Sequence, residues 1–288
     1  YTDANAGNGT KTVTVDTVTL NDGNGGGNYT ITYADNTSST ITPAAITIST
    51  SDVVKSYDGT LDATGVPIVL AGVLYSNASN GDVLDSISGG SYAYTDKNAG
   101  SGNKTVTVTG VTFNDGNAGG NYAVTYVSNT TSTIDRVVLT VLADVSDRVY
   151  DGSVHATLNG LSVTGLIGLE TVVPVSAGTT SFADKSAADD KTVTITNVGL
   201  LDGTNGGLAS NYSVDPTVTT TASILQKDLT VAGVVALDKI YDGTTVAAIN
   251  TSVASLTGKI AGDDVSIGTI VGAFDDKNVG GNKNVNGS

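Results

Sequence analysis

Lys104-Thr-Val-Thr-Val-Thr-Gly-Val-Thr-Phe113 reads as a β-strand with a fault in its phase. Side chains alternate between the two faces of a strand, so Val106 and Val108 share one face while Val111 and Phe113 fall on the other. Keeping all four on one apolar face requires an extra residue near Thr109 and Gly110, which predicts a β-bulge there. The same slip recurs at Asp16-Thr17, between Val15 and Val18, and near Asn197, between Ile195 and Val198. An irregularity written three times marks this strand as one part of a repeated β module.

The segment leading into that strand repeats as well. Tyr94-Thr-Asp-Lys-Asn-Ala-Gly100 echoes Tyr1-Thr-Asp-Ala-Asn-Ala-Gly7, with looser copies starting at Phe182 and Phe274. These aromatic residues are 93, 88 and 92 positions apart. A second ladder, Tyr57-Asp58-Gly59, Tyr150-Asp151-Gly152 and Tyr241-Asp242-Gly243, steps by 93 and 91. Two ladders with one period predict tandem modules of about 90 residues, a size at which a β domain folds by itself. The expected division is 1–42, the closing part of a module; 43–134 and 135–225, complete modules; and 226–288, the opening part of another.

Within 43–134 the strand candidates are Ile46–Thr50, Val66–Leu74, Val83–Ile87, Ser91–Thr95, Lys104–Phe113, Tyr122–Val127 and Thr131–Ile134. Seven short strands separated by turn signals predict an all-β fold of tandem immunoglobulin-like sandwiches arranged end to end, with a β-grasp-like module as the alternative. The long strand is followed by a Gly-rich turn, Asn114-Asp-Gly-Asn-Ala-Gly-Gly-Asn-Tyr122 in one copy, and Tyr29, Tyr122 and Tyr212 open the return strands. Asp-Gly and Asn-Gly accept positive φ, which suits a hairpin connection. The junctions at Thr42-Pro43, Asp135-Arg136 and Gln226-Lys227 are very short, so successive modules are expected to be held nearly rigidly.

Composition restricts the function. The 288 residues carry 28 acidic and 13 basic side chains, a net charge of -15, which argues against nucleic acid and anionic membrane surfaces as partners. No apolar run approaches the roughly 18 residues of a bilayer span. There is no Cys, one His and no Gly-x-Ser-x-Gly elbow, so no nucleophile and base pair is in sight and no enzyme is expected. His155 occurs in one module without counterparts. Asp22, Asp115 and Asp202 in the Gly-rich turns are calcium candidates, but turn chemistry accounts for them equally, and neither an EF-hand nor a nine-residue calcium repeat is present. Tyr57, Tyr150 and Tyr241 invite a sugar-stacking reading; the architectural reading, in which each ring closes a sandwich edge while Asp58, Asp151 or Asp242 forms an Asx-type turn, fits their presence in every module better.

The order of these motifs resembles the YDG repeat of large bacterial surface proteins, including haemagglutinin-like adhesins. The matching pieces are Lys239-Ile-Tyr-Asp-Gly-Thr-Thr245, Gly262-Asp-Asp-Val265, Phe274-Asp-Asp-Lys-Asn-Val-Gly280, Lys104-Thr-Val-Thr-Val-Thr-Gly110 and Gly120-Asn-Tyr122. Asp151-Gly-Ser-Val154 and Ser186-Ala-Ala-Asp-Asp190 depart from the pattern. The resemblance implies an extracellular array in a bacterial cell-surface protein or secreted filament, without catalytic residues or cofactor. Its expected partners are neighbouring modules of the same or an identical chain, with host or surface glycans as the alternative. Residues 1–42 and 226–288 each read as part of a module. That suggests either a window of a longer array or a head-to-tail fibre in which one chain's closing strands complete the next.

Overall fold

The computed structural model describes residues 1–75 and 86–287. They form an all-β protein with no α-helix among the described residues and one 3-10 turn at Ala209–Asn211. Two compact units are present: Tyr1–Leu139 with Gly165–Val173 and Leu200–Ser213, and Thr140–Thr164 with Pro174–Gly199 and Val214–Ser288.

In the first unit, β1 (Gly7–Val13) pairs antiparallel with β2 (Asn36–Ile41). Residues 14–20 form no strand, so the bulge expected at Asp16-Thr17 is absent. The physical reason is visible in the exposure of Val15 and Val18: with no sheet over them, burial does not reward a shift of phase.

The next repeat contains β3 (Ala44–Thr50), β4 (Val54–Ser56), β5 (Pro67–Ala71), β6 (Ser86–Tyr94), β7 (Gly100–Asn114), β8 (Tyr122–Tyr126) and β9 (Asn129–Asp135). They build two sheets, in order β5-β3-β8 and β4-β9-β7-β6. The β3–β8 and β4–β9 pairs are parallel, and the other pairs antiparallel. Ile46 and Ile48 of β3 meet Val108, Val111 and Phe113 of β7 and Tyr122 of β8 in one buried cluster. Phe113 stacks on Tyr122 with ring centroids 5.3 Å apart. Burying each such side chain contributes about 1.5–3 kcal/mol. This is a two-layer β-sandwich; among the described residues no helix lies on either sheet to support the β-grasp-like alternative.

Two expectations need revision, and one strand has no counterpart among the sequence's candidates. The phase slip in β7 is real, and Val106, Val108, Val111 and Phe113 are all buried, but no residue is extra. β6 and β7 keep one register from Ser86↔Asn114 through Gly89↔Val111 and Ser91↔Thr109 to Tyr94↔Val106. Gly90 and Gly110, both at positive φ, turn the two strands over at the same level. The pair Gly89-Gly90 also lets β6 run through, in place of the separate strands expected at Val83–Ile87 and Ser91–Thr95; residues 83–85 lie outside the described residues. Finally, β4 has only three residues, too few to show a period, and owes its existence to pairing with β9.

In the second unit, Thr140–Val145 pairs antiparallel with Leu158–Thr164. A four-stranded sheet runs in the order Arg148–Val149, Thr217–Leu225, Ala188–Thr196, Thr180–Phe182. Phe182, Val193, Ile195, Val198, Ala222 and Ile224 form its core. Here the phase change expected near Asn197 falls on that residue, at φ +52 between the buried Ile195 and Val198. Residues 226–287 contribute only strands of two or three residues, and Ala247 is their one buried apolar side chain among the described residues.

Candidate functional site

The Tyr-Asp-Gly turns are local locks built around a cation. Asp58 Oδ1 accepts the Thr60 N–H at 2.9 Å, closing an Asx-type turn over Gly59 at φ +77. Lys55 Nζ donates to Asp58 Oδ1 at 2.8 Å and to the Thr60 carbonyl at 2.9 Å. Lys239 repeats the arrangement with Asp242 at 2.9 Å and the Thr244 carbonyl at 2.8 Å, and Arg148 pairs with Asp151 and Ser153. The Ser153 N–H and the Arg148 guanidinium hold the Asp151 carboxyl down at about 2, and the Lys239 ammonium with the Thr244 N–H does the same for Asp242.

Each cation also covers an aromatic ring of the other ladder. Lys55 Nζ lies 5.3 Å from the centroid of Tyr94, the Arg148 guanidinium 5.3 Å from Phe182 and Lys239 Nζ 5.6 Å from Phe274. The buried Tyr94 hydroxyl reaches the carbonyls of Val53 and Thr133, each at 2.9 Å. The common period of the two ladders thus has a physical cause: within each repeat, one basic side chain bridges them.

The tyrosine of the turn points away from its own repeat. Tyr57, 1 % exposed, donates its hydroxyl to Glu170 Oε1 at 2.6 Å, across 113 residues of sequence and within the first compact unit. Glu170 Oε2 accepts the Tyr212 hydroxyl at 2.7 Å, and the rings of Tyr57 and Tyr212 meet edge to face at 5.7 Å. Burial first, and the neighbouring Glu170 carboxylate second, raise the pKa of both phenols, so both stay protonated donors. In the second unit Tyr150 donates to Asp263 Oδ1 at 2.9 Å, again across 113 residues, with Lys185 Nζ 3.6 Å from the same carboxylate. Gly59 sits against Ile167 and Gly152 against Ile260; a Cβ on Gly152 would lie 3.0 Å from the Ile260 side chain. The expected edge-closing role is therefore corrected: these rings join one repeat to the next.

A second contact accompanies the first. In two of the Asn-Tyr pairs, at Asn121 and Asn211, the Asn receives the Asn-Ala-Gly loop of the preceding repeat. Asn121 Oδ1 accepts the Ala6 N–H at 2.8 Å, and its amide donates to Asn5 Oδ1 at 3.0 Å. Asn211 does the same for Ala99 at 2.8 Å and Asn98 at 3.1 Å. Asn211 is fully buried and its amide has both ends engaged, as a buried polar group requires. Among the opening tyrosines, Tyr122 and Tyr212 are buried, whereas Tyr29 is exposed.

The acidic turn residues face N–H groups. Asp115 accepts from Asn117, Gly119 and Asn121 at 2.8–3.1 Å. Burial pushes its pKa up, but these donors outweigh that and the net shift is downward. Asp22 accepts from Asn24 and Gly26, and Asp202 from Ala209. A cation at these turns would have to displace those donors, and among the described residues no group of three or more His, Cys, Asp or Glu side chains converges on a metal position.

The YDG domain profile matches residues 42–132, 135–221 and 225–288. The chain belongs to the YDG domain family. Three YDG repeats account for most of the sequence, and the tyrosine and asparagine contacts link one YDG repeat to another. No curated protein and no solved structure matches the chain. No helix among the described residues is long and apolar enough to cross a membrane.

The sequence singles out Tyr57 and Tyr150 but not their acceptors. Glu170 stands in Ile167-Gly-Leu-Glu170-Thr-Val172 and Asp263 in Ile260-Ala-Gly-Asp263-Asp-Val265, so the two carboxylates differ in residue type and share only the Ile three positions before and the Val two positions after, too sparse a frame to single them out. The available signal is Asp263 within the Gly262-Asp-Asp-Val265 motif, for which the sequence offers no chemistry of its own.

Proposed function

We propose that this YDG array is a non-catalytic structural element of a bacterial extracellular adhesin stalk or filament, which spaces and displays a distal element. The observation that carries the reading is the recurrence of one tyrosine-carboxylate clasp at two successive junctions, each spanning 113 residues. Side chains that could serve a ligand are spent on neighbours instead: Tyr57 is enclosed, and its hydroxyl is committed to Glu170. A net charge of -15 and the absence of Cys and Met support a role in extracellular fluid, where oxidation would attack those sulfur groups.

Small-angle scattering of the intact chain tests the spacer role. A spacer must give a radius of gyration well above the roughly 19 Å of a compact globule of this length. A value near 19 Å rejects the spacer. Surface labelling of the producing cells tests the location: an antibody to the array must bind intact cells or their medium.

A further inference from the structure

The contact of Tyr57, Glu170 and Tyr212 holds chemistry that a mechanical clasp does not need. Two phenols end on the two oxygens of one carboxylate, at 2.6 and 2.7 Å, and their rings meet edge to face with centroids 5.7 Å apart. That separation leaves the edge of one ring about 4 Å from the face of the other, close to van der Waals contact. Because both hydroxyls converge on one group, the ring carbons ortho to them lie at the same end of the pair. Among the described residues two aromatic pairs are in contact, and this one alone consists of two phenols; the other is Phe113 on Tyr122.

Composition directs oxidation to such a pair. The chain has no Cys, no Met and no Trp, so an oxidising equivalent delivered to it finds neither sulfur nor indole and settles on tyrosine. A phenol gives up an electron readily only when its proton leaves in the same step, because the protonated radical is a cation that a buried site does not stabilise. The proton acceptor therefore decides which buried tyrosine reacts. Tyr57 and Tyr212 each have a carboxylate oxygen at hydrogen-bond distance, and Glu170, only partly buried, can pass the proton on to water. Tyr94 is as deeply buried but donates to the carbonyls of Val53 and Thr133, which do not take up a proton.

Burial sets what the radical does next. Both rings of the pair are 1 % exposed, so an oxidant does not touch them, but electrons cross packed protein without contact. A radical formed there is shielded from dissolved oxygen and from other chains. Its nearest partner is the other ring.

We propose that Tyr57 and Tyr212 are an oxidative cross-linking site, at which dityrosine joins one repeat covalently to the next. Two equivalents of a one-electron oxidant, such as the oxidised haem of a peroxidase, take one electron from each phenol, and both protons leave through Glu170. One ring tilts onto the other, and a carbon-carbon bond forms between one ortho carbon of each. The hydrogens on those two carbons then move to the oxygens, restoring two phenols. The protein loses two hydrogens in all; with hydrogen peroxide as the terminal oxidant, the two electrons and two protons reduce it to two waters. The inference goes beyond the spacer reading and does not depend on it.

The test is illumination of the dilute intact chain with tris(bipyridine)ruthenium and persulfate, a photochemical source of one-electron oxidant, followed by peptide mass mapping. The expected product is a monomer short of two hydrogens in which, out of 12 tyrosines, Tyr57 and Tyr212 are the predominant linked pair. Unfolding in urea before illumination must abolish that preference. Glu170→Gln keeps a hydrogen-bond acceptor but removes the base. It should lower the yield of the link by at least about tenfold, less than a positioned proton acceptor usually contributes because water reaches a partly buried site. Oxidation of the exposed Tyr29 and Tyr241 should not change in this variant. A folded wild-type chain whose exposed tyrosines are oxidised without a link between Tyr57 and Tyr212 overturns the proposal. So does a link that forms equally well in urea, or one that a folded Glu170→Gln variant makes as efficiently as the wild type. The first two outcomes need no variant, so they decide the matter even where Glu170→Gln does not fold. If no link forms while Tyr57→Phe still lowers the melting temperature, this inference fails and the clasp between neighbouring repeats stands.

Discussion

Replacing Tyr57 by Phe removes one oxygen from the junction between the first two complete repeats and leaves the ring in place. The lost bond is a 2.6 Å hydroxyl-carboxylate contact, and hydrogen bonds to charged groups are worth about 1.5–3 kcal/mol. Glu170 keeps the Tyr212 hydroxyl at 2.7 Å, so its carboxylate is not stranded and the cost falls at the lower end, about 1.5 kcal/mol. The compact unit that contains the contact has about 160 residues. At that size 1 kcal/mol shifts the melting temperature by about 2–4 °C, so Tyr57→Phe should lower it by about 3–6 °C. Calorimetry of the intact chain measures this, with Tyr241→Phe as the control. Tyr241 is exposed, and its hydroxyl should matter by less than about 0.5 kcal/mol. A double-mutant cycle with Glu170→Gln should return a coupling of about 1–2 kcal/mol. Equal melting temperatures for Tyr57→Phe and Tyr241→Phe, or zero coupling to Glu170, would refute the reasoning.

The asparagine bridge gives a second expectation: Asn211→Ala strands the Ala99 N–H and costs about 1–3 kcal/mol, seen as faster hydrogen exchange at Ala99 than at Thr107. Gly152→Ala combines a positive φ with a close approach to Ile260 and should destabilise more than Gly116→Ala, which has positive φ but open space; urea midpoints of the two variants decide. Acid should weaken the fold in a defined window. Asp151 and Asp242 titrate at about 2 when folded, below the unfolded value of about 3.9, so their stabilisation is complete above pH 4 or so and is lost as pH falls toward 2. At the alkaline end the raised pKa of Tyr57 and Tyr212 means that their contribution holds below the unfolded tyrosine value of about 10 and is lost above it. A urea midpoint that does not change between pH 5 and pH 2, or between pH 9 and pH 12, contradicts these assignments.

Much of the module could be read from the sequence because the determining pattern is local. The phase change in β7 lies in ten consecutive residues, and the Asx-type turn at Asp58 needs only Gly59 and Thr60 beside it. The mechanism of the phase change was not legible, since it depends on Gly90, a residue of the partner strand that meets Gly110 only after pairing. Neither was the destination of the Tyr57 ring. Turn chemistry explains Asp58 and Gly59 fully and says nothing of a hydroxyl whose acceptor lies 113 residues away. The bulge expected at Asp16-Thr17 failed for a related reason: the residues match the pattern, but the burial that would enforce it is missing.

The boundaries of the compact units bear on how such a chain yields under load. Residues 165–173 and 200–213 belong with the repeat before them, while the remainder of 140–225 groups with residues 226–288. The polypeptide crosses between the two units five times, at 139/140, 164/165, 173/174, 199/200 and 213/214. Pulling on the termini therefore cannot peel off the middle repeat as a single bead, since unravelling it strips contacts from both units. Force-extension traces should show ruptures that release lengths unrelated to the 90-residue period, and proteolytic fragments should end inside repeats as often as between them.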